Sequence, residues 1–296
     1  MTRGAILGRF LPPHAGHKYL IDFGRSLVDE LVVLVCTLPT DPIPGDRRFA
    51  WMQEMFPNVR VVHMTEQNPE GSRTHPNHTH VWADALQRYA GEHIDYLFAS
   101  EEYGWELAEL LDASFIPVDP QRKQFPVSGT VLREAPLAYW RFIPEPVRPY
   151  FARRVGILEV DHSPALLQRL AGHYETVYVS DYKTHYEGSA GKKLRNELLM
   201  REAQFAAEDA LVRQCNRLLF CAVRPELFFE PHGRPNLDAH HRRYDLIVFS
   251  GDLQKSDSAN HLYQELGVTG RNIAHVDGRD SDRFFRSCAE VDRLLV

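Results

Sequence analysis

Short apolar or β-branched runs alternate along the chain with stretches in which apolar residues recur every three or four positions. The runs predict parallel strands, and the periodic stretches predict the helices that connect them. In the first half, strands are expected over residues 4–10, 31–37, 59–63, 96–99 and 115–118. Helices are expected over 15–24, 47–55, 80–89 and 103–111, with another starting at 131 after Ser128-Gly129-Thr130. The run from Leu31 to Thr37 has no charged interruption, as in a strand covered by helices on both faces. Pro136, Pro144, Pro146 and Pro149 punctuate the next stretch, which reads as a semi-rigid elbow between domains. The alternation then restarts, with strands over 155–160, 176–179, 217–222 and 246–250 and helices over 164–172 and 194–215. The expectation is an α/β protein of two domains, 1–149 and 150–296.

Composition narrows the function classes. The chain has 296 residues, 44% hydrophobic and 25% charged, which is the profile of a folded globular protein. Its 34 basic and 40 acidic residues leave a formal charge of −6, which argues against sequence-independent binding of nucleic acid. No apolar run reaches the ~18 residues of a membrane span. The first residues lead straight into a strand, so no signal peptide is expected. Cys36, Cys215, Cys221 and Cys288 are scattered without scaffold spacing, which suits a reducing cytoplasm. A homo-oligomer is expected, with no nucleic-acid or membrane partner.

The strongest candidate chemistry lies where the first strand meets the first helix. Gly8-Arg9-Phe10-Leu11-Pro12-Pro13-His14-Ala15-Gly16-His17 has the form GxFxPxHxGH. Gly8 lets a ligand approach the backbone, and the prolines stiffen the turn. His14 and His17 stand three residues apart at a helix start, so their side chains share a face beside free backbone amides. Two imidazole donors and a positive helix end suit a polyphosphate, and Gly16 is expected to leave room for it. An isolated HxxH pair is more often a surface or core feature; the strand–turn–helix context favours the functional reading.

A second segment, Ser128-Gly129-Thr130-Val131-Leu132-Arg133, starts 111 residues beyond His17 and opens another helix. Its hydroxyls and amides suit phosphate oxygens, and Arg133 adds a cation one turn in. Alone, this segment would be no more than a helix cap. Beside the first motif it reads as the second jaw of a triphosphate clamp.

Together the two motifs resemble those of the nucleotidyltransferase superfamily that carries HxGH and ISGTxxR, and within it the NadR-type bifunctional enzymes. The narrower resemblance rests on Pro42-Ile43-Pro44-Gly45 followed by Arg48, on residues 98–104 and on residues 139–144. It implies a Rossmann-like nucleotidyltransferase domain with a parallel sheet, followed by a P-loop-kinase-like α/β domain. It also implies ATP and nicotinamide mononucleotide (NMN) as substrates, Mg²⁺ as cofactor, and NAD and pyrophosphate as products of a direct displacement. The resemblance assigns His14, His17 and Arg133 to catalysis, and Gly8, Arg9, Phe10, Ser128, Gly129 and Thr130 with them to ATP. Arg48 is the candidate for the NMN phosphate, with a helix-surface cation as its plain alternative. Trp82 is the candidate for stacking on the nicotinamide, with a core aromatic as its alternative. Thr74 to His80 holds three histidines without a ligand spacing and is expected to border the NMN pocket, with no metal site. Other phosphate acceptors, such as nicotinate mononucleotide or phosphopantetheine, and a non-catalytic nucleotide-binding regulator are the rival readings.

The second half resembles the ribosylnicotinamide kinase part of the same family through residues 206–211, 216–221 and 243–246. The kinase chemistry does not follow. A P-loop needs GxxxxGK[ST], whereas Gly156 is followed by Ile157-Leu158-Glu159-Val160-Asp161-His162-Ser163-Pro164. Glu159 and Asp161 would repel a triphosphate. Ala222-Val223-Arg224 stands where the family has a metal-organising acid. Gly188-Ser189-Ala190-Gly191-Lys192-Lys193 is a near-miss that reads as a flexible basic loop. The second domain is therefore expected to be inactive as a kinase. A helix-turn-helix, found at the start of some relatives, is not expected because the first strand begins at residue 4.

Overall fold

The architecture follows from where the apolar runs go, as seen in a computed structural model that describes residues 1–68, 77–91, 93–161, 165–190, 196–228 and 243–295. Two compact units divide the chain, Met1–Val147 and Arg148–Val296.

Unit 1 comprises β1 (Arg3–Gly8), α1 (Ala15–Leu27), β2 (Glu30–Cys36), α2 (Gly45–Met55), β3 (Arg60–Met64), α3 (His78–Ala90), β4 (Tyr96–Ala99), α4 (Tyr103–Leu110), β5 (Ser114–Pro117) and α5 (Gly129–Glu134). The strands form one parallel sheet in the order β3-β2-β1-β4-β5. Val32, Leu34 and Cys36 pack on one face with Leu86 of α3 and Leu107 of α4. Val33 and Val35 pack on the other with Leu20 and Ile21 of α1 and Met52 of α2. The unbroken apolar run of β2 is thus two alternating sets of core residues, each under its own helices. The division between the units falls within the proline-punctuated stretch, in which Trp140, Phe142, Ile143 and Val147 are buried.

Unit 2 starts with a short helix, α6 (Arg148–Phe151), and then β6 (Arg153–Glu159), α7 (Ala165–His173), β7 (Tyr178–Val179), α8 (Tyr182–Ala190), α9 (Glu197–Leu211), β8 (Leu218–Ala222), β9 (Leu246–Ser250), α10 (Asp257–Val268), β10 (Ile273–Val276) and α11 (Asp280–Asp292). Its sheet is also parallel, in the order β10-β9-β6-β8-β7. Leu167 and Leu170 of α7 and Val291 of α11 close one face over Val155, Phe220 and Val248.

Several elements depart from the sequence expectation. Residues 188–190 of the expected basic loop belong to α8, whose start is capped by Asp181 accepting from the Thr184 amide at 2.9 Å. Gly191, Lys192 and Lys193 lie outside the described residues, as do His162, Ser163, Pro164 and Thr74 to Pro76. The expected helix over 194–215 ends at Leu211, and a turn then leads to Arg217, whose φ of 68° is left-handed. The sequence reading stops at residue 250, whereas the fold continues with α10, β10 and α11. All four cysteines are buried and free. Among the described residues no helix is long and apolar enough to cross a membrane.

Candidate functional site

In unit 1 the strand order reverses between β1 and β4, the place where open parallel sheets bind ligands beyond their carboxyl ends. A cavity of about 540 Å³ opens there. Its walls include Gly8, Arg9 and Phe10 from the end of β1, His14 and His17 from the start of α1, and Ser128, Gly129, Thr130 and Arg133 from α5. Every residue expected to contact ATP therefore lines one cavity.

Local geometry explains how. Phe10 adopts a left-handed φ of 46° and turns the chain off the strand. His14, itself extended, caps α1: its Nδ1 accepts from the His17 amide at 3.4 Å. That contact requires an unprotonated Nδ1, so the neutral ring carries its proton on Nε2. The two imidazoles stack with centroids 3.7 Å apart, and Phe10 meets His17 edge-on at 4.8 Å. A side chain on Gly16 would press on the His14 ring, 3.1 Å from its atoms. Gly16 thus makes room for the first histidine, and it also lines the cavity.

The second motif is stitched to the first through one carbonyl. Arg133 Nη1 donates to the Leu11 oxygen, and its Nη2 donates to Thr130 Oγ1 at 3.2 Å. A Cβ on Gly129 would collide with the same Leu11 oxygen, so α5 can start this close to the turn only with glycine there. Ser128 caps α5 by accepting from the Val131 amide at 3.3 Å, so it is both a cap and a wall of the cavity.

Electrostatics makes the histidines neutral donors. Burial, helped by the nearby Arg122 cation, pulls His14 down to about 4. Burial holds His17 well below its ordinary value, with His14 and Arg122 acting in the same direction. His17 Nδ1 is buried and has no hydrogen-bond partner.

The structure separates the two candidate NMN residues. Trp82 lines the cavity and also packs against the core face under α3. Arg48 does not line it. Its side chain is wholly buried, donating to the carbonyls of Ile43 at 3.1 Å and Cys36 at 3.3 Å, to the Arg9 carbonyl, and to Asp41. Arg48 is a strut that ties the ends of β1 and β2 to the 38–44 loop; neither a phosphate contact nor a surface cation describes it. Asp41, also buried, bridges Arg48 to Arg9. Burial pushes the Asp41 carboxyl up, but the Leu38 amide and the two arginines outweigh it and hold it below the usual range.

Three features went unread in the sequence. Tyr103 lines the cavity and donates to the Leu7 carbonyl at 3.4 Å. The Asp119 carboxylate accepts from the amides of Lys123, Gln124 and Phe125, which folds residues 119–125 into a tight loop. That loop brings Arg122 to the cavity opposite Glu101. Asp119 followed by Pro120 was the available signal for the turn. Of the histidines at 74–80, His78 lines the cavity and His75 lies outside the described residues. Among the described residues no group of three or more His, Cys, Asp or Glu is placed to hold a metal ion.

No protein-family model matches the chain. It is similar to the trifunctional NAD biosynthesis/regulator protein NadR of Escherichia coli (strain K12), 26% identical over 345 aligned residues that cover 100% of this chain and 83% of that protein. The NadR protein of Salmonella typhimurium (strain LT2) is 25% identical over 343 residues, covering 99% and 83%. Among solved structures, a NadR protein in complex with NAD and AMP-PNP matches with a TM-score of 0.75 at 19% identity, covering 99% of this chain and 96% of that one. A NadR complex with NR matches equally well, at 18% identity. The fold is thus that of the NadR structures, two α/β units each built on a five-stranded parallel sheet. Along its whole length the chain is homologous to the NadR proteins.

Proposed function

We propose that unit 1 transfers AMP from ATP to NMN, releasing pyrophosphate and forming NAD. The observation that carries this reading is the meeting, in one cavity, of the imidazole pair at the start of α1, the hydroxyls and amides at the start of α5, and Arg133. The relatives' role in NAD biosynthesis and the NAD and AMP-PNP held by a NadR structure support it.

In this mechanism an NMN phosphate oxygen attacks the α-phosphorus of ATP as the bond to pyrophosphate breaks. His14 offers Nε2–H, and His17 lies nearest the α-phosphate. Thr130, Arg133 and the α5 amides hold the β and γ phosphates, and charge developing on the leaving pyrophosphate strengthens those contacts. Trp82 offers an indole face to the cationic nicotinamide. A neutral histidine still donates one hydrogen bond to a phosphate oxygen. Mg²⁺ fits as an ion that arrives on ATP, since the cavity offers phosphate donors rather than a carboxylate cage. When bound it neutralises part of the polyphosphate charge.

Unit 2 is inferred to have no kinase activity, because Gly156 to Asp161 lacks the lysine and second glycine of a phosphate loop. Purified protein with ATP, Mg²⁺ and either NMN or nicotinate mononucleotide tests both halves, with nicotinamide riboside plus ATP or GTP as the kinase arm. NAD formation with NMN preferred in kcat/KM, and no riboside phosphorylation, is expected. Absence of pyrophosphate release with either mononucleotide would favour the regulator reading.

A further inference from the structure

We propose that Arg122 is a binding residue for the polyphosphate of ATP, exchanging its ion pair with Glu101 for a contact with the β and γ phosphates; this rests on the adenylyltransferase reading of the cavity.

Three arginines line the cavity among the described residues: Arg9, Arg122 and Arg133. They are held very differently. Arg9 is paired with the buried Asp41, and Arg133 donates to the Leu11 carbonyl and to Thr130. Both are tied to the walls by their partners, Arg9 through a carboxylate that is itself wholly covered although its own side chain is 48% exposed. Arg122 instead meets Glu101 at 3.3 Å, with its side chain 44% exposed and that of Glu101 61% exposed. An exposed pair of that length is weakly held in water. Guanidinium contacts to phosphate are charge-assisted and bidentate, and so stronger. Arg122 is therefore the arginine of the three that can change partners at least cost.

Its backbone, by contrast, is fixed. Arg122 sits at a left-handed φ of 50°, and its amide donates to the Asp119 carbonyl at 2.8 Å. The Asp119 carboxylate gathers the next three amides. Phe125 ties the loop to α1 by packing on Tyr19, with ring centroids 5.3 Å apart. From there the chain runs directly into Ser128 and α5. The loop thus ends on the helix start that receives the β and γ phosphates, while its charge already acts on both histidines. Because burial keeps those histidines neutral, the positive charge facing a polyphosphate must come from arginine. Glu101 has a matching role: it balances Arg122 and competes with incoming anions for it.

The test uses the full chain and binding as well as turnover. Calorimetric titration with inorganic tripolyphosphate and with ATP is run on wild type, Arg122→Ala, Arg122→Lys and Glu101→Gln. Arg122→Ala is expected to weaken tripolyphosphate about tenfold or more and to raise KM for ATP in step, leaving KM for NMN within about twofold. Arg122→Lys recovers part of the loss. Glu101→Gln, which removes the competitor, tightens tripolyphosphate. Unchanged tripolyphosphate binding in Arg122→Ala overturns the proposal, and so does an effect confined to KM for NMN. If the wild type binds ATP but forms no NAD, the titration still decides for or against Arg122 while the adenylyltransferase reading fails by itself.

Discussion

Both units place their first strand in the middle of a five-stranded parallel sheet and follow it with a loop and a helix, yet the two helix starts are used in opposite ways. In unit 1 the start of α1 is capped by a neutral imidazole and opens on the cavity. In unit 2 the start of α7 is filled by the chain itself: Glu159 accepts from the amides of Leu166 and Leu167, each at 3.3 Å. A carboxylate stands where a phosphate-binding unit would receive an anion from outside. Topology offers the same electrostatic opportunity twice, and in unit 2 a side chain at the strand end occupies it.

The largest effect should come from the open site. His17→Ala is expected to lower kcat by ~10²–10⁴, with little change in NMN affinity, because its contact matters most as charge develops in the transition state. Single-turnover kinetics with saturating ATP checks this. A loss below about tenfold would leave the α1 start as scaffold and make the two units more alike than proposed.

Next in size is the strut behind that site. Arg48→Leu removes the guanidinium from Asp41 and from three carbonyls, all in the interior. Asp41 keeps Arg9 and the Leu38 amide, but three interior carbonyls lose their donor, at a cost of about 1–3 kcal/mol each. Denaturant unfolding is expected to register that loss as a lower midpoint. Unchanged stability with a raised KM for NMN would return Arg48 to the mononucleotide phosphate.

Arg48 also illustrates what the sequence made legible. The two cavity-lining motifs and the buried strand β2 could be read directly, because each depends on residues adjacent in the chain. Arg48 could not, since its partners come from Arg9, Cys36, Ile43 and Asp41, and a cation on a helix normally faces water. The Asp119 loop escaped for a similar reason: its structure comes from one carboxylate gathering later amides. In unit 2 the resembling segments 206–211 and 243–246 proved to share a buried ion network. There Glu208 accepts from Tyr244 at 2.7 Å, and Arg154 and Arg243 flank it and Asp209. Resemblance survived in unit 2 where residues hold the fold, and was lost at the strand end where a kinase would hold phosphate.

A third effect distinguishes the units by pH. Burial keeps His14 and His17 below the ordinary histidine value of about 6.5, His14 at about 4. Between those values the unfolded chain takes up protons that the folded one refuses. Their contribution is therefore complete above pH 6.5 and lost as pH falls toward 4, by at most about 1.4 kcal/mol per pH unit for each ring. Asp181 and Asp209 of unit 2 share the sign but not the window: burial raises them, their arginine and hydrogen-bond partners outweigh it, and their support is lost only as pH falls through and below the normal carboxylate range. Trp51, Trp82, Trp105 and Trp140 all belong to unit 1, so tryptophan fluorescence follows that unit. Its unfolding midpoint is expected to fall between pH 6.5 and 5, and His14→Asn, which can still cap α1, should flatten the slope. A slope unchanged in that variant would remove His14 from the account.

The smallest effect bears most directly on the comparison. Glu159→Ala takes away the acceptor for two amides at the start of α7, a change worth about 1 kcal/mol when a helix loses its cap. Burial and the neighbouring Asp161 raise the Glu159 carboxyl, whereas the two amides and Arg283 lower it, and the balance lies above the usual range. Glu159→Gln, which keeps an acceptor oxygen for the two amides, should cost less than the alanine variant. Neither is expected to bind ATP in unit 2 or to phosphorylate nicotinamide riboside. Freeing two amides does not supply a lysine, and Arg224, already paired with Asp181 at 2.7 Å, occupies the position after β8 where a metal-organising acid would be needed. Riboside phosphorylation in Glu159→Ala but not in wild type would reverse the comparison. The start of α7 would then be a phosphate site held shut by its own carboxylate, and the two units would differ in occupancy rather than in capacity.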